Sequence, residues 1–482
     1  MASLLDLWPL LVAAAIPVVQ VAAAVHVLLR KRDVRAAVGW MGLIWLVPLV
    51  GAALYAFLGI NRIQRKARAL RPEPAGYEAW LARAPLNGEE VASRLGPGAG
   101  SVAELVALGD RVTERPLLAG NSVTPLVDGD EAYPAMLEAI EAARVSVTLL
   151  TYIFDNDGVG RRFLEALRGA VERGVEVRVL VDDVGARYST PSITGTLKRA
   201  KVPAARFMPT MLHWRMPYFN LRNHRKIMVV DGRDAFTGGM NIRDEFWRGE
   251  DPAQFSRDLH FRIQGPVVGE IQEVFAEDWT FTTGERLEGP RWFPDVEPVG
   301  TTVARGISDG PDIDYEKLET MILGAVNAAG SSVRIITPYF LPDRVLIRAL
   351  CIAALRGVEV EVLIPAQGNL ALVQWASMAQ LDQVLEKGVR VFASPPPFDH
   401  SKLMVVDRAW VLLGSANVDP RSLQLNFEFN VECYDRELGE RLERVFAERR
   451  SRARELTLSD VHGRSLPVKL RDAVARLFSP YL

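Results

Sequence analysis

Two uncharged apolar stretches open the chain, and a regular alternation of strand-like and helix-like patterns fills most of the rest. Leu7 to Leu29 and Ala36 to Ile60 carry no formal charge, and each is long enough to cross a bilayer as a helix. They predict a membrane hairpin over residues 1–60. A cleaved signal peptide would carry basic residues ahead of its apolar run, and none precedes Leu7. Two core helices are the other reading, and for these so long an uncharged length is unusual. Arg30, Lys31, Arg32 and Arg35 lie between the stretches, and Arg62, Arg65, Lys66, Arg68 and Arg71 follow the second, so the basic residues do not orient the hairpin. Residues 61–120 are polar and partly helical, broken at Gly96 to Gly100, and read as a connector. From Asn121 the pattern is that of an α/β body. Ser146 to Phe154 reads as a strand, a helical stretch follows, and Arg173 to Val181 is the next strand, a β-α-β unit. Ser332 to Phe340 and Arg356 to Ile364 repeat it in the same order. Two α/β lobes are therefore expected, 121–283 and 312–482, with the Gly- and Pro-rich stretch 284–311 as a linker.

The repeat is tightest around two histidines. His224, Lys226, Asp231, Gly238 and Asn241 recur as His400, Lys402, Asp407, Gly414 and Asn417, at a constant offset of 176. Four apolar residues follow each lysine, Ile227 to Val230 and Leu403 to Val406, and read as strands buried on both faces. Positions i and i+2 of a strand share a face, so His224 points with Lys226 and His400 with Lys402. Two such halves, related by a pseudo-two-fold axis, can bring both sets into one pocket. That pocket suits a phosphodiester: ammonium groups and amides donate to non-bridging oxygens, and histidine serves near neutral pH as nucleophile or as acid and base.

Composition changes this picture little. A net charge of −2 over 482 residues gives no support for a nucleic-acid binder. Cys351 and Cys433 are far apart and form neither a disulfide framework nor a zinc ribbon. With one histidine per motif and no His-Glu-x-x-His, no metal is expected. His26, His213 and His462 stand alone and read as ordinary core or surface residues.

The doubled His-x-Lys pattern, each followed after four residues by Asp, resembles the phospholipase D superfamily. Further runs narrow the likeness: Arg-Asn-His-Arg-Lys-Ile at 222–227, Gly-Gly-Met-Asn-Ile at 238–242, Gly-Ser-Ala-Asn-Val-Asp-Pro-Arg-Ser at 414–422, Asn-Phe-Glu at 426–428 and the closing Leu-Phe-Ser-Pro-Tyr-Leu. With the two apolar stretches, they are similar over nearly the full length to bacterial cardiolipin synthases of the phospholipase D type. The resemblance implies an α/β fold of two pseudo-symmetric lobes, each a mixed sheet flanked by helices, behind a two-helix anchor in the bacterial inner membrane. It implies phosphatidyl transfer between two phosphatidylglycerols through a phosphohistidine, without cofactor. Anionic phospholipids and the bilayer would be the partners, and nucleic acid would not. By superfamily habit His224 is the nucleophile and His400 the acid and base, although the symmetry of the motifs allows the reverse. Lys226, Lys402, Asn241 and Asn417 would hold the phosphate oxygens. Asp231 and Asp407 complete the family's catalytic motif, yet Asp231 lies too far along its strand to touch the phosphate and reads as structural. Asp258 and Glu428, each following its lobe's Asn, would orient the histidines or be plain surface charges. Asp399 departs from the family, which often has an apolar residue before the second histidine, and would alter the protonation of His400. The alternative activities are hydrolysis, with water as acceptor, and transfer from phosphatidylethanolamine. Phe207 to Phe219, with Met211 and Trp214 among Arg206 and Arg215, reads either as core or as a loop dipping among lipid tails.

Overall fold

The apolar runs of both halves join into a single mixed sheet. The structure, a computed structural model, describes residues 4–31, 34–59, 85–96, 101–209, 221–249, 255–312 and 314–479. The first half supplies β1 (Leu118–Val127), β2 (Ser146–Thr151), β3 (Glu176–Asp182), β4 (Ala204–Phe207), β5 (Arg222–Asn223), β6 (Ile227–Val230), β7 (Asp234–Gly238), β8 (Ser256–Arg257) and β9 (Leu259–Gln264). The second supplies β10 (Thr302–Asp309), β11 (Ser332–Ile336), β12 (Glu359–Pro365), β13 (Arg390–Ser394), β14 (Phe398–Asp399), β15 (Leu403–Val406), β16 (Trp410–Gly414), β17 (Asn426–Tyr434) and β18 (Arg454–Leu456). Their order is β18-β13-β12-β11-β15-β16-β17-β10-β1-β9-β7-β6-β2-β3-β4. Outward from the seam between β1 and β10, the two sides repeat each other: antiparallel strands, then the strand that follows each His-x-Lys, then the parallel pair of the β-α-β unit. The seam is antiparallel, with Leu118 opposite Ala304 and Asn121 opposite Thr302.

Helix Gly158–Glu172 crosses from β2 to β3 because its apolar positions fall on one face: Val159, Phe163, Leu167 and Ala170 are all buried. Asp157 caps it, accepting from Gly160 N at 2.8 Å, and Asp343 caps the equivalent helix Arg344–Leu355 on Leu346 N at 2.8 Å. Caps of this kind contribute about 1 kcal/mol each. Each lobe then closes its own core over one face of its sheet.

Two boundaries differ from expectation. The stretch 284–311 contains β10, which pairs with both β1 and β17 and so carries the sheet across the seam. Gly and Pro at its start obscure an eight-residue strand in which every residue is buried. Within 61–120, helices Gly88–Leu95 and Val102–Thr113 bury Val91, Leu95, Leu105 and Val106 in the core of the second lobe rather than merely connecting.

The N-terminal residues cluster as a separate unit. The first stretch forms helix Leu4–Arg30, whose side chains are described from Ala15 on. The second is not one helix but Val34–Leu46, then Val50–Leu54, then a π-turn at Tyr55–Gly59. Pro48 lacks an N–H and disfavours helical backbone in the residue before it, which interrupts the helix there. The pieces pack on one another through Val27, Ile44 and Tyr55, and Gln20 Nε2 donates to Ile44 O at 2.9 Å. Among the described residues no helix is long and apolar enough to cross a membrane. Of the aromatic run from Phe207 to Phe219, residues 210–220 lie outside the described residues. Phe207 itself is core, packed on Phe281 and Phe427 at centroid distances of 5.5 and 5.3 Å.

Candidate active site

Each histidine is delivered to the opposite lobe by a short strand. β5 pairs with the start of β17, Asn223 opposite Phe427, and β14 pairs with β8, Asp399 opposite Arg257. The ladders continue for one bond more: His224 N donates to Phe427 O at 2.9 Å and His400 N to Arg257 O at 2.8 Å. The next residue on each partner strand is acidic. His224 Nδ1 lies 3.0 Å from Glu428 Oε1, and His400 Nδ1 lies 2.8 Å from Asp258 Oδ2. The acidic residue facing each histidine therefore comes from the other lobe, 204 residues away for His224 and 142 for His400.

The lysines share the pocket. Lys226 Nζ donates to His224 O at 2.5 Å, and Lys402 Nζ does the same to His400 O. Both are buried, and His400 feels the charge of both lysines and of His224, so the two motifs form one electrostatic cluster. Tyr152 stands edge-on to His224 at 5.3 Å and beneath Lys226 at 5.6 Å, while Phe246 and Phe398 flank His400 at 5.7 and 6.1 Å. Asn241 and Asn417 are buried as well. Asn241 Oδ1 accepts from Ile153 N at 3.2 Å, which fixes its amide, whereas Asn417 Oδ1 is buried without a partner among the described residues.

Burial dominates the protonation of the cluster, because a charged side chain removed from water must find its stabilisation locally. It pulls Lys226 down to about 7 and Lys402 to about 8. It takes His224 to about 4 against the pull of Glu428, and it takes His400 well below the ordinary histidine range, with both lysines adding to the effect. The two acids then part company. Burial pushes Asp258 up to about 8. Against the same burial, His224, Lys226 and the Ser415 hydroxyl hold Glu428 below the usual carboxylate range. A local difference between the motifs adds to the charges of His224 and Lys226 on Glu428 and of Asp399 on Asp258. Ser415 Oγ donates to Glu428 Oε2 at 2.5 Å, and Asn426 Nδ2 to Oε1 at 3.2 Å. At the position matching Ser415 the first motif has Gly239, where a Cβ would stand 2.5 Å from Asp258 Oδ1. The His400·Asp258 pair thus holds one proton more at neutral pH than the His224·Glu428 pair. Neither Ser415 nor Tyr152 was singled out from the sequence, although Gly-Ser against Gly-Gly was visible there.

Asp231 and Asp407 are not brought to this pocket. They sit at the far ends of β6 and β15, roughly 16 Å from the lysines at strand rise. Asp231 accepts from the backbone N–H groups of Arg144, Val145 and Ser146, and Asp407 from those of Gly330, Ser331 and Ser332. Each ties the turn that enters β2 or β11, a structural task, so a direct part in the chemistry does not fit their position. Asp399 is neutralised where it stands. Arg449 Nη1 reaches its two oxygens at 2.9 and 2.7 Å and also Ser401 Oγ at 2.7 Å. The first lobe holds the mirror charge arrangement, with Arg225 on the motif segment and Asp278 on helix Val268–Thr283, 2.8 Å apart. The carboxylate of Asp399 acts electrostatically on Asp258, not among the main influences on His400.

Among the described residues no group of three or more His, Cys, Asp or Glu side chains is arranged to hold a metal. A family model described as cardiolipin synthase, PLD-like domain, matches residues 136–279 and 322–450, and one described as phospholipase D-nuclease N-terminal matches 18–59. A cardiolipin synthase A of Pseudomonas putida (strain W619) is 33% identical over 465 residues, 95% of this chain and 95% of that protein. A cardiolipin synthase of Listeria welshimeri is 31% identical over 470 residues, 95% of this chain and 96% of that protein. The crystal structure of phosphatidylserine synthase from Haemophilus influenzae shares the fold, with a TM-score of 0.61 at 16% identity over 79% of this chain and 100% of that one. With that family model spread over both lobes and such relatives along almost the whole length, the chain belongs to the cardiolipin synthase family of phospholipase D-like proteins.

Proposed function

We propose that the chain transfers a phosphatidyl group from one phosphatidylglycerol to the free primary hydroxyl of another, forming cardiolipin and releasing glycerol. The observation that carries this reading is the pair of crossed histidine–carboxylate contacts around two buried lysines, with one proton more on the second pair. His224, facing an ionised Glu428 through Nδ1, keeps a free lone pair on Nε2 and is the nucleophile. It attacks phosphorus and forms a P–N bond as the bond to the glycerol oxygen breaks. The proton held by His400 and Asp258 passes to that oxygen. The incoming hydroxyl then returns a proton to His400 and attacks phosphorus, and the P–N bond breaks. Lys226, Lys402, Asn241 and Asn417 hold the non-bridging oxygens, where charge builds in both transition states.

The N-terminal helices anchor the chain in the bacterial inner membrane. The uncharged stretches and the family match at 18–59 support this. Phosphatidylglycerol, and anionic phospholipids more widely, are then reached at the interface.

Purified protein given phosphatidylglycerol alone in detergent should yield cardiolipin and glycerol in equal amounts, and added glycerol should drive the reaction backwards. Phosphatidic acid as the main product would identify a hydrolase instead. Cardiolipin formed only when phosphatidylethanolamine is added would change the donor.

A further inference from the structure

The last helix, Leu466–Arg476, turns most of its apolar side chains outward. Its inward face carries Ala475, clustered with Leu341 and Ala376, and Asp472, 1% exposed, which is ion-paired to Arg464 and Arg471. Its outward face carries Leu466, Leu470 and Val474 at helical spacing, exposed by 69, 58 and 55%. Leu477 and Phe478 extend that stripe at 76 and 51%. A helix that only packed on a protein in water would put its ion pairs outside and its leucines inside.

Two further observations say what covers the stripe. Between 463 and 479 the chain has four basic residues, Arg464, Lys469, Arg471 and Arg476, and a single acid, the buried and already paired Asp472. On a helical wheel Lys469 and Arg476 border the stripe on one side, and Arg471, although paired to Asp472, borders it on the other at 44% exposure, the arrangement of an interfacial helix on anionic lipid. The helix also packs on helix Ala371–Met378, with Arg471 over the ring of Trp375 at 4.3 Å. Between them opens a cavity of about 510 Å³ whose lining includes Leu370, Val373 and Met378 together with Arg452 and Arg454. Its wall includes Tyr339 and Phe340, and Phe340 bridges to Val418, the neighbour of Asn417. The helix that carries the stripe therefore lines, with its other face, a cavity that reaches the strand end beside Asn417.

We propose that helix Leu466–Arg476 is a second membrane contact of the catalytic body, lying in the headgroup region of an anionic phospholipid leaflet with Leu466, Leu470 and Val474 among the acyl chains. Its purpose, delivering lipid to the site, rests on the phosphatidyl-transfer reading; its place in the leaflet does not.

Both native cysteines are buried, so a dye can be directed to one introduced thiol. The full chain, with Leu470→Cys carrying an environment-sensitive fluorophore, is reconstituted in nanodiscs of phosphatidylglycerol with phosphatidylcholine. Glu165→Cys, at a side chain 60% exposed on the first lobe, is the control. The expected result is quenching at position 470 by lipid-borne nitroxide and protection from aqueous iodide, with the reverse at position 165. Discs of phosphatidylcholine alone should weaken the lipid quenching. Iodide quenching at 470 equal to that at 165 would overturn the proposal. Protection from both quenchers would overturn it too, in favour of a protein cover such as a second copy of the chain. Product analysis on the same discs reports separately whether cardiolipin forms. Leu466→Ser, Leu470→Ser and Val474→Ser together change only exposed positions, and should raise the apparent KM on anionic vesicles about tenfold or more while leaving turnover of detergent-dispersed lipid unchanged. An unchanged KM on vesicles would count against the contact.

Discussion

Raising the pH from 6 to 9 should cut kcat/KM for dispersed phosphatidylglycerol by about a thousandfold through the two lysines alone. Both must be charged to receive a phosphodiester anion, and burial has lowered Lys226 to about 7 and Lys402 to about 8. At pH 6 nearly all molecules carry both protons. At pH 9 about 1 in 100 keeps the first and about 1 in 10 the second. Loss of the proton shared by His400 and Asp258, near pH 8, removes the general acid and adds about tenfold. On the acid side, activity should fall near pH 4, where His224 becomes protonated and loses its nucleophilic lone pair. The alkaline limb of kcat should lie higher than that of kcat/KM, because bound phosphate favours the charged lysines. The assay is initial-rate kinetics in mixed micelles of a neutral detergent, where no anionic surface concentrates protons. A loss of less than about tenfold between pH 6 and pH 9 would refute the claim that buried, mutually repelling lysines form the phosphate site.

Other outcomes can be stated more briefly. His400→Ala should stop turnover and let a labelled phosphatidyl adduct build up on His224, found by peptide mapping; label on the second histidine of a His224→Ala variant would reverse the roles. Arg449→Met leaves the buried carboxylate of Asp399 unpaired and should cost about 3–5 kcal/mol in denaturant unfolding, most of it recovered by adding Asp399→Leu. Gly239→Ala forces a Cβ against Asp258 and should lower kcat about a hundredfold by displacing His400, whereas unchanged kcat would mean that this contact does not position the histidine. Exhaustive dialysis against a chelator should leave turnover of dispersed lipid intact, since the lysines supply the positive charge; revival by a stoichiometric transition metal would contradict this.

Much of this protein is legible in its sequence, because the signals are local. A run such as Ile227 to Val230 is a buried strand by composition alone, and it appears as β6 with the same limits. The i, i+2 spacing puts Lys226 beside its own His224, and the structure keeps them in contact. The doubled motif likewise announces two similar lobes. What the tertiary structure decided lies at long range. The sequence offers Asp258 and Glu428 without saying which histidine each faces, for that depends on β5 and β14 finding backbone partners on the opposite lobe. The strand hidden in 284–311 and the inward ion pairs of the last helix became visible only once their packing partners were in place. The proton asymmetry goes further still. His224 and His400 sit in matching motifs, yet their acids diverge: His224, Lys226 and the Ser415 hydroxyl hold Glu428 down, whereas Asp258 has a glycine where that hydroxyl stands and feels the Asp399 carboxylate as well. Spacing along the chain specifies periodicity and neighbours a few residues apart. Register between distant strands and the desolvation of a charge are sums over every group that the folded chain brings near.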